Sequence, residues 1–388
     1  MLLRDVYSWL LIFMTSVMIA IGKVYDERLE IAGVNFSIIL SVFFVILFFP
    51  RLFSIRAIQF TLSKGYLYAF LALILFSPIL WSFHGVTEYG IEKYINFAVI
   101  IIPLVLVSSR FEYKDVLLLM HILLYFVFFL ALLGSIKLGG SVERLSVLGG
   151  GPIIFARWMI IGSIIIFFLK NKNIKNFLLI TLLILLSIAA GSRGPIFSLL
   201  FTIFIFLLLN FQKILFRLLV VLFLIGGILL VIDASFILDI GKADRLITRD
   251  STSKNVRMKF ANRSLELIAL YPMGVGIGNW QEYCNKTQPY HLLRHEYPHN
   301  LILEVFAELG ILGGVILLIL IVKALYFTFF RMLKYSHQNS IYELLFYLQV
   351  FLLINSMFSG SLNDSRLLLI VIAISLIPEP LVPKNIVK

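Results

Sequence analysis

The sequence has a single cysteine, Cys284, among its 388 residues. One thiol cannot form an intrachain disulfide, and it cannot supply a cysteine-based metal site. Any part of the chain outside a membrane must therefore be held together by packing. We expect Cys284 to be an ordinary small apolar residue, with a catalytic thiol as the alternative.

Charged residues are also scarce, at 14% of the chain, whereas 61% of the residues are hydrophobic and the mean hydropathy is +1.01. These values are far from those of a soluble globular domain. Apolar runs of roughly 17 to 22 residues recur along the chain, and each can cross a hydrocarbon core of about 30 Å. The sequence predicts an all-α polytopic membrane protein with about twelve transmembrane helices, near 6–22, 31–50, 65–82, 91–108, 115–134, 152–169, 176–190, 195–209, 214–232, 299–321, 341–358 and 366–382.

The positions of Lys and Arg predict the orientation, because basic residues collect in short cytoplasmic loops. With both termini inside, the cytoplasmic side collects Arg51, Arg56, Arg110, Lys114, Lys170, Lys172, Lys175, Lys213, Arg217, Arg331, Lys334, Lys384 and Lys388. The net charge of +12 is then mostly a topology signal and does not indicate nucleic acid. The first run has no small-residue cleavage site, so we expect it to stay as a helix.

This topology divides the chain into helices 1–9 in residues 1–232, a periplasmic loop in 233–298 and helices 10–12 in 299–388. The loop is strongly basic, and Arg suits phosphate because its planar fork bonds two oxygens. An anionic ligand is one interpretation, and contact with lipid headgroups is the other. The basic residues are Lys242, Arg245, Arg249, Lys254, Arg257, Lys259 and Arg263.

Within this loop, the sequence predicts an amphipathic helix over about 254–270, capped by the serines at 251 to 253. Its apolar face contains Val256, Phe260, Leu267 and Ile268, which suits a helix lying on the membrane or on the spans. The stretch that follows, "YPMGVGIGNW", predicts a tight loop. It is not a dinucleotide fingerprint, because no buried strand precedes it.

Three more arginines lie next to predicted outer loops. Arg144 lies in the loop before the sixth span, and Arg157 lies about one and a half turns inside that span, where it either reaches the interface or binds a partner. Arg193 stands in "AAGSRGPI", where Pro195 is expected to open the eighth span. A helix break beside a fixed cation favours an anion, although a plain hairpin turn needs only the glycine and proline.

The stretch "HEYPH" at 295–299 fits the H-E-x-x-H zinc signature. That signature needs both histidines on one continuous helix, whereas Pro298 disfavours helix at the residue before it. We expect Pro298 to open a helix and to leave His295 and Glu296 in the loop. A zinc protease remains the weaker alternative, and we expect no metal.

The helix that follows carries Asn300, Glu304 and Glu308 on one polar stripe, while Gly310 and Gly314 have the spacing of close helix packing. Carboxylates inside a span must face protein or a water-filled cavity. The sequence therefore predicts a polar cavity beneath the basic loop.

The stretches "PHNLILEVFAELGILGG", "GSRG" and "VRMKFANRSLELIALYPMGVGIGNW" resemble the O-antigen ligase and polymerase superfamily. Members open a late span with a His-Asn pair and carry an outer-face arginine and a second arginine on an amphipathic helix. They often have Trp shortly after that second arginine, where this chain has Phe260. The resemblance covers about residues 144–321.

The resemblance implies transfer of a glycan from undecaprenyl diphosphate to a sugar hydroxyl on the periplasmic face of the bacterial inner membrane, with inversion and without metal, nucleotide or other cofactor. It makes His299 the base and Arg193 and Arg257 the catalytic cations, with Arg144, Arg157, Arg249, Arg263, Asn300 and Glu304 as substrate-binding residues. The implied partners are the lipid-linked oligosaccharide, a glycan or lipid A-core acceptor, the bilayer and a chain-length regulator protein.

Polymerase and ligase share this donor chemistry. Two loops that pair arginine with glycine, "RLSVLGGGP" and the basic loop, suggest two lipid-diphosphate sites and favour a polymerase. A transporter or flippase is a further class, because many spans carry polar groups. Transporters often repeat their broken helices in both halves, and the sequence has no second copy of the His-Asn or Gly-Ser-Arg stretches.

Overall fold

The computed structural model describes residues 2–31, 33–52, 62–138, 144–148, 150–210, 251–287, 297–335 and 340–377. These residues are helical apart from short connections and one small hairpin. A π-helical turn at Phe97–Ile101 joins two helices into a single span. The helices are Leu2–Ile21, Phe36–Leu52, Leu62–Phe76, Pro78–His84, Glu88–Asn96, Ile102–Ser108, Tyr113–Leu138, Gly151–Leu169, Ile174–Ala189, Arg193–Asn210, Ser251–Leu270, Trp280–Thr287, Leu301–Tyr335, Ile341–Ser359 and Arg366–Ser375.

The apolar runs of the sequence coincide with these helices, which confirms an α-helical, multi-pass membrane protein. Within the described ranges, six helices are long and apolar enough to cross a membrane: Lys64–His84, Glu88–Ser108, Tyr113–Leu138, Gly151–Leu169, Leu301–Tyr335 and Ile341–Ser359. The ninth predicted span, 214–232, lies outside the described residues. The total of twelve spans and the division at 232 and 298 stay predictions.

One helix starts later than its apolar run suggests. Residues Glu30–Ile31 and Val34–Asn35 form a two-stranded antiparallel hairpin, and the helix predicted from 31 begins at Phe36. Polar side chains favour the hairpin: Asn35 donates from Nδ2 to the carbonyl of Asp26 at 2.9 Å and accepts from the Ser37 N–H at 3.1 Å. Local side-chain bonds thus take precedence over hydropathy here.

The chain forms two compact units. The first is drawn from Met1–Leu119, Asn255–Lys334 and Ser356–Lys388, and the second from Met120–Lys254 and Tyr335–Asn355. In the first unit, the helix Leu2–Ile21 packs against Phe36–Leu52, and Arg366–Ser375 packs against Ile102–Ser108. In the second, Gly151–Leu169 packs against Ile174–Ala189 and Arg193–Asn210.

The helix Ser251–Leu270, here called the amphipathic helix, packs on protein through the face that the sequence predicts. Phe260 and Leu267 are buried and Ile268 is partly buried in a cluster with Trp280 and Cys284. Trp280 donates from Nε1 to Ser264 Oγ at 2.9 Å. Burial raises the pKa of the Cys284 thiol to about 11, so Cys284 is a core side chain rather than a nucleophile.

The long helix Leu301–Tyr335, here called the broken helix, is interrupted at Gly310, where φ is 72° and ψ is −176°. The glycine loop, residues 272–278, bonds to the break. Val275 N–H donates to the Ala307 carbonyl at 3.0 Å, and Gly276 N–H donates to the Glu308 carbonyl at 2.9 Å. In an unbroken helix those carbonyls would accept from residues 311 and 312. The loop therefore satisfies backbone groups that the break exposes.

One further hydrogen bond runs in the opposite direction, from the broken helix to the glycine loop: Ile311 N–H donates to the Pro272 carbonyl at 2.9 Å. The prediction that Gly310 and Gly314 form a helix-packing pair is wrong at Gly310. Gly310 has a left-handed φ, and its α-carbon faces the backbone of the glycine loop. The left-handed conformation is one that glycine adopts at little cost.

Candidate functional site

Asn300, rather than Pro298, marks the start of the broken helix. The Asn300 side-chain oxygen accepts from Ile302 N–H at 3.0 Å and from Leu303 N–H at 3.1 Å, which is the bonding of an N-cap. The first helical residue is Leu301. The prediction that Pro298 opens the helix and that His299 lies in its first turn is therefore wrong. His299 is the last residue before the cap.

His299 has an unusual backbone conformation, with a φ of 56°. For a residue with a side chain, this left-handed region costs about 1–2 kcal/mol. Its ring stacks on Phe260, with centroids 6.2 Å apart and planes at 15°, and also contacts Tyr297 at 4.3 Å. Two aromatic rings therefore hold the imidazole in place, and the backbone of His299 is strained. Backbone strain of this kind is typical of functional sites.

The pKa of His299 is lowered from 6.5 to about 4. Burial is the main cause, and the positive charge of Arg257 lowers the pKa further, while the carboxylate of Asp364 opposes both. His299 is therefore neutral near pH 7, and a neutral imidazole can act as a base.

Arg257 lies on the exposed face of the amphipathic helix, one turn before Phe260. The helix thus connects the stacking partner of His299 with the cation that lowers its pKa. Phe260 occupies the aromatic position that the family resemblance expects after the loop arginine. Arg263, on the same helix, is buried and pairs with Glu266. Arg249 lies outside the described residues.

A buried ion triad joins two glutamates of the broken helix to a lysine of the helix Glu88–Asn96. Lys93 Nζ is 2.5 Å from Glu304 Oε1 and 2.5 Å from Glu308 Oε2, and all three side chains are at most 2% exposed. The second oxygen of Glu304 accepts from Leu362 N–H at 2.9 Å. The polar stripe of the sequence therefore faces protein at these two glutamates.

Lys93 is the residue of this region that sequence reasoning missed. It lies on Glu88–Asn96, directly before the π-helical turn and within the predicted span 91–108. A lysine inside one apolar run and two glutamates inside another each need an opposite charge. Complementary charges in different spans were the available signal.

The glycine loop and the residues just after it bond to the helix Pro78–His84 and to the turn that follows it. Trp81 Nε1 donates to the Ile277 carbonyl at 3.2 Å, and Asn279 Nδ2 donates to the Gly85 carbonyl at 2.8 Å. The hydroxyl of Tyr283 lies 2.9 Å from His84 Nδ1. The turn at 84–87, the glycine loop and the broken helix are therefore bonded into one framework.

In the second unit, Arg144 contacts the turn that precedes Arg193. Arg144 Nη2 donates to the Gly191 carbonyl at 2.8 Å, and Gly191 has a left-handed φ of 61°. Arg193 is exposed at the start of Arg193–Asn210, two residues earlier than the predicted Pro195 start. Arg144 thus fixes the turn from which Arg193 projects. Its membership of one catalytic centre with His299 stays a prediction.

Arg157 has a partner within its own unit. With the Asn355 amide oriented so that its oxygen faces Arg157, that oxygen accepts from Nε at 2.8 Å and from Nη2 at 3.2 Å. Arg157 is half-buried in the span Gly151–Leu169. Of the two interpretations from the sequence, a bound partner is the one observed, and any contact with substrate stays a prediction.

Among the residues that the structure describes, no group of three His, Cys, Asp or Glu side chains is arranged to hold a metal ion. His295 and Glu296 of the zinc-like stretch lie outside the described residues. His299, the remaining member, precedes the helix and does not lie on it.

Comparison with known proteins agrees with the family resemblance. A family model described as O-antigen ligase matches residues 176–318, a stretch that includes Arg193, Arg257 and His299. No curated protein matches the chain. The matched family covers O-antigen ligases and polymerases, which act on lipid-linked glycans in a membrane. The match to residues 176–318 supports the place of this chain in the O-antigen ligase and polymerase superfamily.

Proposed function

We propose that the chain is an O-antigen polymerase. It transfers a glycan from undecaprenyl diphosphate to a sugar hydroxyl at the periplasmic face of the bacterial inner membrane, without metal and with inversion at the anomeric carbon. The observation that carries the proposal is the placement of His299, which directly precedes a membrane helix and stacks on Phe260 of the helix that also carries Arg257. An uncharged base next to a cation suits deprotonation of a hydroxyl during departure of an anion.

In the reaction, two bonds form and two break. The acceptor hydroxyl oxygen attacks the anomeric carbon, the bond from that carbon to the diphosphate oxygen breaks, and the diphosphate leaves with the electron pair. The hydroxyl proton passes to His299. Arg257 and Arg193 stabilise the growing negative charge on the diphosphate, and this stabilisation is strongest in a site with little water.

A pKa of about 4 makes His299 a weak base in the free protein. We propose that binding of the donor raises the pKa of His299. A diphosphate bound at Arg257 offsets the positive charge that lowers the His299 pKa, so the imidazole becomes more basic when the donor is present. Base strength is thus coupled to donor binding.

Several residues predicted to bind substrate already bond to protein groups, and we propose a positioning role for them. Asn300 caps the broken helix, and Glu304 binds Lys93 and the Leu362 N–H. Arg144 fixes the turn before Arg193. Asn355 orients Arg157, and Glu266 orients Arg263.

An O-antigen ligase is the second candidate, because the matched family model carries that description. A ligase transfers the finished glycan to lipid A-core, whereas a polymerase transfers a growing chain to the next lipid-linked unit. Loss of the protein separates them: a core carrying one repeat unit indicates a polymerase, and unattached long chains on the carrier indicate a ligase.

The proposal is tested with purified protein in vesicles, lipid-linked glycan and no ion gradient. We expect longer glycan from the wild type and from Lys259→Ala, an exposed matched control on the helix of Arg257. We expect no lengthening from His299→Ala, Arg257→Ala or Arg193→Ala at equal protein amount. Normal product from His299→Ala would overturn the proposal, and glycan movement without bond formation would indicate a transporter.

A further inference from the structure

The end of the amphipathic helix and the residues that follow it expose large apolar side chains that do not pack in the core. Leu265, Leu270 and Met273 are 56%, 62% and 76% exposed. Counting 100° per residue, Leu265 projects on the side of the helix away from Phe260 and Leu267. A group of large apolar side chains at this exposure marks a surface that contacts another protein or a membrane.

The exposed residues change in character along the helix. The helix exposes Arg257, Lys259 and Asn262 up to residue 262, with Met258 among them. The last six residues expose Leu265, Ala269 and Leu270, and the half-exposed acid among them, Glu266, is paired with Arg263. A helix that is polar at one end and apolar at the other fits an oblique position at a membrane surface.

The bonds between the glycine loop and the broken helix determine how deep the apolar end of the amphipathic helix lies in the membrane. Lys323 is the first basic residue after Leu301 in the sequence. A hydrocarbon core of about 30 Å needs roughly 20 helical residues, so a core that ends just before Lys323 begins near residue 303. The bonds of the glycine loop to Ala307, Glu308 and Ile311 then lie inside the hydrocarbon layer.

Exposed apolar side chains are found on the broken helix as well, next to Met273 of the glycine loop. A Cβ atom on Gly310 would lie 2.5 Å from the carbonyl carbon of Met273, so Met273 adjoins the break. Ile311 and Leu312, the next residues, are 46% and 61% exposed. Met273 therefore lies beside the part of a membrane-spanning helix that carries these exposed apolar side chains.

We propose that the last six residues of the amphipathic helix, 265–270, are immersed in the outer half of the bilayer. Leu265, Leu270 and Met273 contact lipid hydrocarbon, while Arg257 stays at the level of the lipid phosphates. Resting on the proposed function, this position lets a polyprenyl diphosphate donor enter sideways from the membrane. Its chain stays among hydrocarbon and its diphosphate meets Arg257, close to His299.

The test is a depth measurement on the full-length protein in vesicles of phosphatidylethanolamine and phosphatidylglycerol. A spin label is attached to Leu270→Cys, Met273→Cys or Asn262→Cys, and Leu312→Cys on the broken helix is the hydrocarbon reference. The native Cys284 is buried, so the unmodified chain is the control for background labelling. Relaxation by oxygen, which concentrates in hydrocarbon, is compared with relaxation by a water-soluble nickel chelate.

We expect the oxygen-to-nickel ratio at 270 and 273 to match that at 312 and to exceed the ratio at 262 several-fold. Equal, water-like ratios at 262, 270 and 273 would overturn the proposal. No substrate is needed, so a failure of the proposed function leaves this result unaffected. A second measurement addresses the donor: Leu270→Glu is expected to slow glycan transfer several-fold, and Lys259→Glu at the polar end far less. Unchanged transfer by Leu270→Glu would refute sideways entry while leaving the transfer activity intact.

Discussion

Gly274 and Gly310 meet at a backbone contact that leaves no room for a Cβ atom on either residue. A Cβ on Gly274 would lie 2.5 Å from Gly310 N, and one on Gly310 would lie 2.5 Å from the carbonyl carbon of Met273. Both residues also have left-handed φ angles, of 90° and 72°. The contact joins the glycine loop to the broken helix that His299 precedes, so the geometry of the site depends on it.

Replacement of either glycine should destabilise the protein strongly. Gly274→Ala or Gly310→Ala combines backbone strain of about 1–2 kcal/mol with overpacking of about 1–3 kcal/mol. Gly33→Ala is the matched control, because Gly33 has a φ of 77° but nothing within 4 Å of an added Cβ. We expect a clearly lower melting temperature in detergent for the first two variants than for the control. Equal melting temperatures would contradict the contact.

The buried triad should tolerate complete neutralisation better than loss of one charge. Lys93→Met leaves two buried carboxylates unpaired, and loss of one partner of a buried pair costs about 3–5 kcal/mol. Lys93→Met combined with Glu304→Gln and Glu308→Gln removes every charge and should restore the melting temperature. Lys23→Met, which breaks the exposed pair with Glu92, should change it little.

The triple variant also tests the role of Glu304. If Glu304 only positions the helix, glycan transfer should return together with stability. A stable but inactive triple variant would instead show that Glu304 acts on substrate.

Acid should inhibit the free protein at a lower pH than the donor complex. Transfer requires neutral His299, so kcat/KM should fall only as the pH drops through about 4, the pKa in the free protein. Donor diphosphate beside Arg257 raises that pKa, which moves the acid limb of kcat to higher pH. Asp364→Asn removes a charge that raises the pKa, so it should move the kcat/KM limb lower still. Coincident acid limbs for kcat and kcat/KM would contradict the coupling.

Phe260→Leu should reduce kcat more than it changes KM. The leucine fills much of the core position but no longer stacks on His299, so the imidazole loses one of the rings that hold it. Tyr283→Leu is a suitable control, since that ring lies in the same cluster but packs on Tyr271 and His84. A loss of kcat that is equal in both variants would show that core packing alone is responsible.

Hydropathy and periodicity predict most of the helices because both depend on residues that are close in sequence. The apolar face at Phe260 and Leu267 is an example, and it is buried as expected. Helix ends are predicted less well, because a few polar bonds decide them. Asn300 moves one start beyond Pro298, and Asn35 helps to delay another to Phe36.

The break at Gly310 and the pairing of Lys93 could not be read from local sequence. The carbonyls of Ala307 and Glu308 are satisfied by N–H groups more than thirty positions away in the chain, and periodicity carries no such information. The low pKa of His299 has the same origin, since it follows from burial and from Arg257 on another helix. Sequence predicts the residue types of the site, whereas tertiary contacts determine their chemistry.

Lys93 and Glu304 are separated by 211 positions in the chain, and this separation has a consequence for biosynthesis. The ribosome makes the helix with Lys93 long before either glutamate exists. Until then, the lysine must remain at the membrane surface or hold its charge among lipids, where a cation is costly. The helix with Lys93 therefore reaches its final position only after the broken helix has been made. The protein completes this part of its fold after most of the chain has been translated.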